Sequence, residues 1–251
     1  MSLTTPPPSE TTLYPVLGAR PAPRVRLGTV LVTGAASGLG AAVAAAVAAQ
    51  DGTPVGLDVA EPAAGLDREL VDLADGAAAE AAVERIAERH GRIDALVTAA
   101  GIDACGRLDE VPRATWERVI AVNLMGTAAV VRAALPHLRR SEGRVVTVAS
   151  TLGLRALSDA TAYCASKFGV VGFSRALAAE TAGEVGVTLL IPGGMQTSFF
   201  DGRPERYRPP ADASLQPPEE VAAAIVFALS RPRGVELREL VVCPSTEPSW
   251  P

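Results

Sequence analysis

Lysine and asparagine are almost missing from this sequence: its 251 residues hold one of each, Lys167 and Asn123. Every other permanent cation on a side chain is arginine. Alanine, glycine, proline and arginine crowd the chain, as they do under a coding bias against lysine and asparagine. On a wet surface arginine replaces lysine easily, because only a positive charge is needed there. A lysine that persists is expected where a compact, point-like ammonium is required. Tyrosine occurs three times, and Tyr163 precedes Lys167 by four residues, one helical turn away on the same face.

Other absences narrow the class. There is no basic excess; the net charge is −5, which argues against a nucleic-acid partner. The three cysteines, Cys105, Cys164 and Cys243, are odd in number and lack metal-ligand spacing. They read as small core hydrophobes in a reducing compartment, with no metal site. The opening Met-Ser-Leu-Thr-Thr-Pro-Pro-Pro lacks the basic and apolar regions of a secretory signal. No stretch approaches the length of a membrane span, and the alanine-rich run from Ala41 to Ala49 is closed early by Gln50 and Asp51. A soluble cytoplasmic protein is expected. At 48% hydrophobic residues, a chain of this length buries enough apolar surface to need no disulfide or metal staple.

Residues 1–27 are rich in proline and poor in periodicity, and are expected to form an arm outside the fold. Residues 28–251 alternate between strand and helix patterns. Strands are expected over Thr29–Thr33, Thr53–Asp58, Arg68–Leu73, Ile93–Ala99, Arg144–Ala149, Val185–Ile191 and Leu237–Cys243. Helices are expected after the first glycine turn and over Asp75–Arg89, Thr115–Arg140, Thr161–Thr181 and Pro217–Leu229. Asp75 is the expected N-cap of its helix, and Pro136 is expected to bend or end the third. This order predicts one Rossmann-type α/β domain: a doubly wound parallel sheet of about seven strands with helices on both faces.

The segment Thr33-Gly34-Ala35-Ala36-Ser37-Gly38-Leu39-Gly40 lies between the first strand and first helix. Glycines there let the backbone approach a pyrophosphate, whose charge meets the helix N-terminus. Asp58 ends the second strand, where a carboxylate accepts hydrogen bonds from adenosine ribose hydroxyls. A 2′-phosphate at about 5 Å would cost roughly 3 kcal/mol per charge pair at an effective dielectric near 20. No arginine follows Asp58 or sits in the turn, so NAD is expected over NADP. Asp72 is read two ways: reaching the adenine, or serving as a turn aspartate.

The glycine turn, with Ser150, Tyr163 and Lys167 at their spacing, resembles the short-chain dehydrogenase/reductase family. Asn123-Leu124-Met125-Gly126, Pro192-Gly193 and Thr197 extend the resemblance over about Gly28 to Cys243. It implies a catalytic tetrad of Asn123, Ser150, Tyr163 and Lys167. It implies cofactor contacts from Gly34, Ser37, Gly38, Leu39, Gly40, Asp58, Asp72, Leu73, Ala100, Gly101, Tyr163, Lys167, Pro192, Gly193 and Thr197. Asn123 would hold a water that links Lys167 to solvent.

The chemistry agrees with that assignment. A secondary alcohol must lose its hydroxyl proton as hydride leaves carbon. A free tyrosine, with a pKa near 10, is too weakly acidic to act as base at neutral pH. Lowering it by about 2 to 3 units takes roughly 3 to 4 kcal/mol. An ammonium at about 4 Å supplies roughly that at an effective dielectric near 20. Tyr163 is thus expected to be made acidic by Lys167, with Ser150 holding the substrate oxygen.

Two segments depart from the family's pattern: Thr98-Ala99-Ala100-Gly101, where an Asn-Asn-Ala-Gly is common, and the Cys243 to Pro251 ending, which lacks the usual glycines. The departures bear on cofactor hydrogen bonds and on the pocket floor. Candidates for the substrate wall are Ile102, Asp103, Leu152, Leu154, Met195, Phe199, Phe200 and Tyr207. Met195 to Gln216 is expected to form a lid. Its Arg203, Arg206 and Arg208 belong either to a solvated loop, the favoured reading, or to an anion site.

The resemblance also implies a homotetramer or homodimer. The expected function is NAD-dependent interconversion of a secondary alcohol and a ketone. The rival is an inactive nicotinamide-binding regulator or scaffold, whose mark, a damaged tetrad, is absent. An epimerase or dehydratase on the same cofactor site would need a larger substrate domain than this chain has room for.

Overall fold

The computed structural model describes residues 26–61 and 65–250. Short apolar and β-branched runs form seven strands: β1 (Thr29–Thr33), β2 (Thr53–Asp58), β3 (Asp67–Leu70), β4 (Ala95–Thr98), β5 (Arg144–Val148), β6 (Gly186–Pro192) and β7 (Glu239–Val242). All adjacent pairs are parallel, in the order β3-β2-β1-β4-β5-β6-β7. The helices are α1 (Gly38–Ala48), α2 (Gly76–His90), α3 (Arg113–Ile120), α4 (Thr127–Ser141), α5 (Thr161–Glu180) and α6 (Pro218–Leu229). The strand order reverses between β1 and β4, which opens a crevice at the carboxyl ends of the strands.

Side-chain alternation along the strands makes two cores. Val30 and Val32 pack with Val43 of α1 and Ile225 of α6 on one face. Leu31 packs with Val83 of α2, Val130 of α4 and Leu177 of α5 on the other. The central strands β1 and β4 are buried throughout, as covered parallel strands are. Edge strand β3 carries Asp67 and Glu69, which pair with Arg85 and Arg89 of α2. Charge on that edge discourages pairing with another chain.

Asp75 caps α2, its side chain accepting from the Ala78 amide at 3.0 Å. Gly91 ends that helix at φ 73°, a conformation glycine adopts without strain. Helix boundaries otherwise lie close to expectation. The strand expected at Arg68–Leu73 is shorter, and Val71 and Leu73 turn instead into the core. Leu27, assigned to the arm, is buried in the α1/α6 core. Arg26 is exposed, and residues 1–25 of the expected arm lie outside the described residues.

The third predicted helix differs most. A π turn, Ala121–Gly126, joins α3 to α4, and α4 continues past Pro136 to Ser141. Proline costs a helix about 3 kcal/mol; Ala133, Ala134 and Leu138 around it are buried and offset that cost. Joined, Arg113–Ser141 is long and apolar enough to pass a length-and-composition test for a membrane span. That overturns the expectation that no stretch approaches such a length. Counting unbroken apolar runs missed it, because polar residues interrupt a helix that the π turn makes continuous. Here the helix packs against α2 and α5.

Candidate active site

Backbone forms the wall at the glycine turn. Gly34 has φ +72°, and a Cβ there would come within 2.8 Å of the Ala100 Cα. A side chain at Gly40 would overlap the Gly34 carbonyl. Thr33 Oγ1 accepts from the Ala100 amide at 3.0 Å, which ties the turn to the segment after β4. Ser37 stands at the N-cap of α1, makes no side-chain cap bond, and no acid occupies the first turn. The positive end of α1 therefore faces the cleft with nothing of its own to neutralise it.

Asp58 braces this turn. One carboxylate oxygen accepts from the Ala36 amide at 2.9 Å and the other from Ala60 at 3.0 Å. Asp72 accepts from the Ala74 amide at 2.9 Å and from Arg118 at 3.0 Å. The Ala74 amide, helped by Arg118, holds that carboxyl below the usual carboxylate range. Asp72 thus has the contacts of a turn aspartate while still lining the cleft.

Ser150, Tyr163 and Lys167 come together at the other end. Ser150 follows β5; its Oγ accepts from the Leu152 amide at 3.1 Å, and its hydroxyl faces the Tyr163 phenol closely enough to lower it. Lys167 Nζ lies 5.6 Å from the Tyr163 ring centre. It donates to the Val148 carbonyl at 2.9 Å and is only 4% exposed. No carboxylate pairs with it among the described residues. Burial pushes this ammonium down to about 8.

Burial also pushes the Tyr163 phenol up, to about 12, against the lowering hydrogen bond from Ser150. The sequence-based expectation of an acidified Tyr163 is therefore corrected. Desolvation of the phenolate outweighs the lowering from Ser150 and Arg203. With the protein's groups alone, Tyr163 holds its proton.

Asn123 sits at the π turn, behind this site. Its Oδ1 accepts from the Ile102 amide at 2.8 Å, and its Nδ2 donates to the Ile102 carbonyl at 2.9 Å and Ser166 Oγ at 3.0 Å. These bonds pin the loop after β4 to α5. Asn123 Oδ1 and Lys167 Nζ each lie 3.6 Å from where a Gly101 side chain would begin. Every other residue expected at the tetrad or the cofactor lines one continuous cleft of about 500 Å³.

Of the expected substrate wall, Ile102, Leu152, Met195, Phe199 and Phe200 line this cleft. Asp103, Leu154 and Tyr207 do not. Asp103 instead takes Arg203 of the lid at 2.7 Å, and Tyr207 turns aside under Arg206. Leu154 packs on the small core around Ile191. The ends of the lid are fastened by a bridge between Met195 and Gln216. Between them Arg203 lies against the rings of Phe199 and Phe200, at 4.9 and 4.6 Å, and Phe199 meets Tyr163 at 5.7 Å. Arg206 and Arg208 are exposed. Only Arg203 of the three reaches the cleft.

Sequence reasoning missed the residues that close the floor. Glu247, Pro248 and Ser249 line the cleft. The only hints were the adjacent Gly193 and Gly194, which leave room for a neighbouring side chain, and a last strand without its expected glycines. Arg118, also missed, lines the cleft beside Asp72.

The family description "short chain dehydrogenase" matches residues 28–208. D-threitol dehydrogenase of Mycolicibacterium smegmatis is 38% identical over 80% of this chain and 85% of its own. Meso-2,3-butanediol dehydrogenase of Serratia marcescens is 32% identical over 80% of this chain and 86% of its own. The ligand-free aldohexose dehydrogenase structure from Thermoplasma acidophilum superposes with TM-score 0.77 and 25% identity, over 86% of this chain and 92% of that one. With a parallel sheet that opens at its switch point, a glycine turn, and a serine, tyrosine and lysine gathered at the cleft, the chain belongs to the short-chain dehydrogenase/reductase family of nicotinamide-dependent oxidoreductases.

Proposed function

We propose that the protein interconverts a secondary alcohol and a ketone with NAD(H), using Tyr163 as general acid and base. One observation carries the reading: a half-buried phenol, a serine hydroxyl and a buried ammonium share the wall of one cleft. The residues fit a dinucleotide. The glycine turn leaves room that a Cβ would fill, and the uncapped α1 N-terminus favours an anionic pyrophosphate. Asp58 at the end of β2 supports NAD, because its carboxylate opposes a 2′-phosphate. When bound, the nicotinamide accepts or returns the hydride and, in its oxidised form, brings positive charge beside Tyr163.

Ser150 orients the substrate oxygen toward Tyr163. In reduction, the protonated phenol gives its proton to the carbonyl oxygen as hydride reaches the carbonyl carbon. In oxidation the phenolate takes the hydroxyl proton as hydride leaves. Lys167 supplies charge to hold the phenolate, and Asn123 fixes the Ile102 loop and α5 around that ammonium. The threitol and butanediol dehydrogenases support a small hydroxylated substrate. Exposed Met125 and Phe168 support self-association, and we read the protein as a cytoplasmic homodimer or homotetramer.

The test is nicotinamide absorbance at pH 7.5 with a panel of secondary alcohols and ketones, for wild type and Lys167→Arg. Wild type should turn over members of the panel with NAD(H). Lys167→Arg should lose most turnover while its circular dichroism spectrum stays native, because a planar guanidinium does not replace the ammonium. Near-normal turnover in that variant would remove Lys167 from its role.

A further inference from the structure

The segment after β7 returns across the carboxyl ends of β5 and β6 and lays a carboxylate in the cleft floor. Three contacts fasten it. Arg155 donates to the Pro248 carbonyl at 3.0 Å. Ser249 Oγ and Thr151 Oγ1 meet at 2.7 Å, both buried, beside Ser150. The Gly194 amide donates to Glu247 Oε2 at 2.9 Å. Gly193 makes the space, since a side chain there would overlap that same carboxylate oxygen.

The hydrogen bonds of Glu247 can be counted. Oε1 accepts from the Ser249 amide at 3.1 Å and from Ser249 Oγ at 2.5 Å. Ser249 Oγ donates its one proton to Glu247, so it accepts from Thr151. Among the described residues Oε2 accepts only from Gly194. A carboxylate has about four acceptor positions, so one on Oε2 remains for a ligand. The bonds from Ser249 and Gly194 hold the carboxyl below the usual range although burial opposes them, and it is charged at neutral pH. No cation pairs with it among the described residues. The other cleft cations besides Lys167 are already matched, Arg203 by Asp103 and Arg118 by Asp72.

We infer that Glu247 is a specificity-determining residue, which accepts a hydrogen bond from a second hydroxyl of the substrate and so selects diols and polyols over monohydric alcohols and over hydroxy acids. The inference rests on the alcohol–ketone reading above. Ser150 and Tyr163 hold the reacting oxygen, and the floor carboxylate offers an acceptor to a neighbouring O–H. An anionic substrate meets the same charge and is repelled.

The test compares kcat/KM for butane-2,3-diol, butan-2-ol and 3-hydroxybutyrate, in wild type and Glu247→Gln, with NADH affinity read separately by fluorescence. Wild type should prefer the diol to both others. Glu247→Gln should lower the diol-to-butan-2-ol ratio about tenfold to a hundredfold, the range for a charge-assisted hydrogen bond. It should also raise the ratio of 3-hydroxybutyrate to butan-2-ol, with NADH affinity steady. Unchanged ratios overturn the inference, as does a change confined to NADH affinity. If the variant fails to fold, wild type alone decides: a preference for 3-hydroxybutyrate over the diol overturns it. A wild type that oxidises none of the three, and no other alcohol in the wider panel, sinks the alcohol–ketone reading itself.

Discussion

Around the glycine turn the cleft is walled by main chain, whereas around Tyr163 it is walled by side chains from five separate segments. In the first region, Gly34, Gly38 and Gly40 bring backbone to the surface, and Asp58 and Thr33 brace it through amide hydrogen bonds. In the second, Ser150, Tyr163, Ile102, Phe199 and Glu247 come from the end of β5, α5, the loop after β4, the lid and the tail. A backbone wall recognises what all dinucleotides share. A wall of side chains can be changed one residue at a time, so substrate choice is expected to vary there while the cofactor end stays constant.

The sharpest break between the two regions should come from Tyr163→Phe. Removal of a general acid costs about 10²- to 10⁴-fold, so kcat should fall by that much while NADH affinity, measured by fluorescence titration, holds within about twofold. A parallel loss of NADH binding would show that the regions are not separable. Asp58→Ala should do the reverse. The ratio of kcat/KM for NAD to that for NADP should fall about a hundredfold, from the roughly 3 kcal/mol like-charge term, with kcat on NAD little changed. An unchanged ratio would remove Asp58 from the ribose.

Third comes a pH effect confined to the side-chain region. Lys167 has a folded pKa of about 8, below its ordinary 10.5. Between those values the unfolded chain binds more protons, so stability rises with pH across that window and is lost as pH falls through 8. The stability difference between wild type and Lys167→Met, read from urea midpoints, should grow in favour of wild type from pH 7.5 to 10 by about 2–3 kcal/mol. Cys105, raised to about 11 from 9.0, and Tyr163, raised to about 12 from 10.0, act oppositely above those ordinary values, where the folded chain binds more protons, but they are common to both proteins and cancel in the difference. A difference that stays flat would assign any pH effect to another group.

The smallest expected change is in the backbone region. Gly40→Ala should cost about 1–3 kcal/mol, typical of overpacking, and weaken NADH binding without altering the diol-to-butan-2-ol ratio. A shifted ratio would mean that strain in the turn crosses the cleft.

Local signals made much of this legible in the sequence. Strand alternation, the Asp75 cap and the Gly91 stop are set by neighbours in the chain, and the glycine turn was visible because its residues are contiguous. Tyr163 and Lys167 were visible because helix periodicity pairs them. The illegible parts depend on tertiary context. Apolar spacing does not reveal a one-residue change in hydrogen-bond register, so the π turn at Asn123 read as plain helix. Asp103 and Tyr207 looked like wall residues until the lid's path turned them away. The Tyr163 pKa was misjudged because the sequence displays a nearby cation but not the depth of burial opposing it. Glu247 had no motif at all; its place depends on the missing side chain of Gly193 and on the Gly194 amide, about fifty residues earlier.

The widened turn between Ala121 and Gly126 takes up one residue more than an ordinary α turn would. It absorbs that residue while leaving the faces on either side nearly in step, so Val119 and Val130 are both directed inward. Deleting one residue there would let ordinary α spacing return with little change to either half of the rod, but it would withdraw the Asn123 amide from Ile102 and Ser166. A shortened turn should therefore leave the fold standing and loosen the wall behind Lys167.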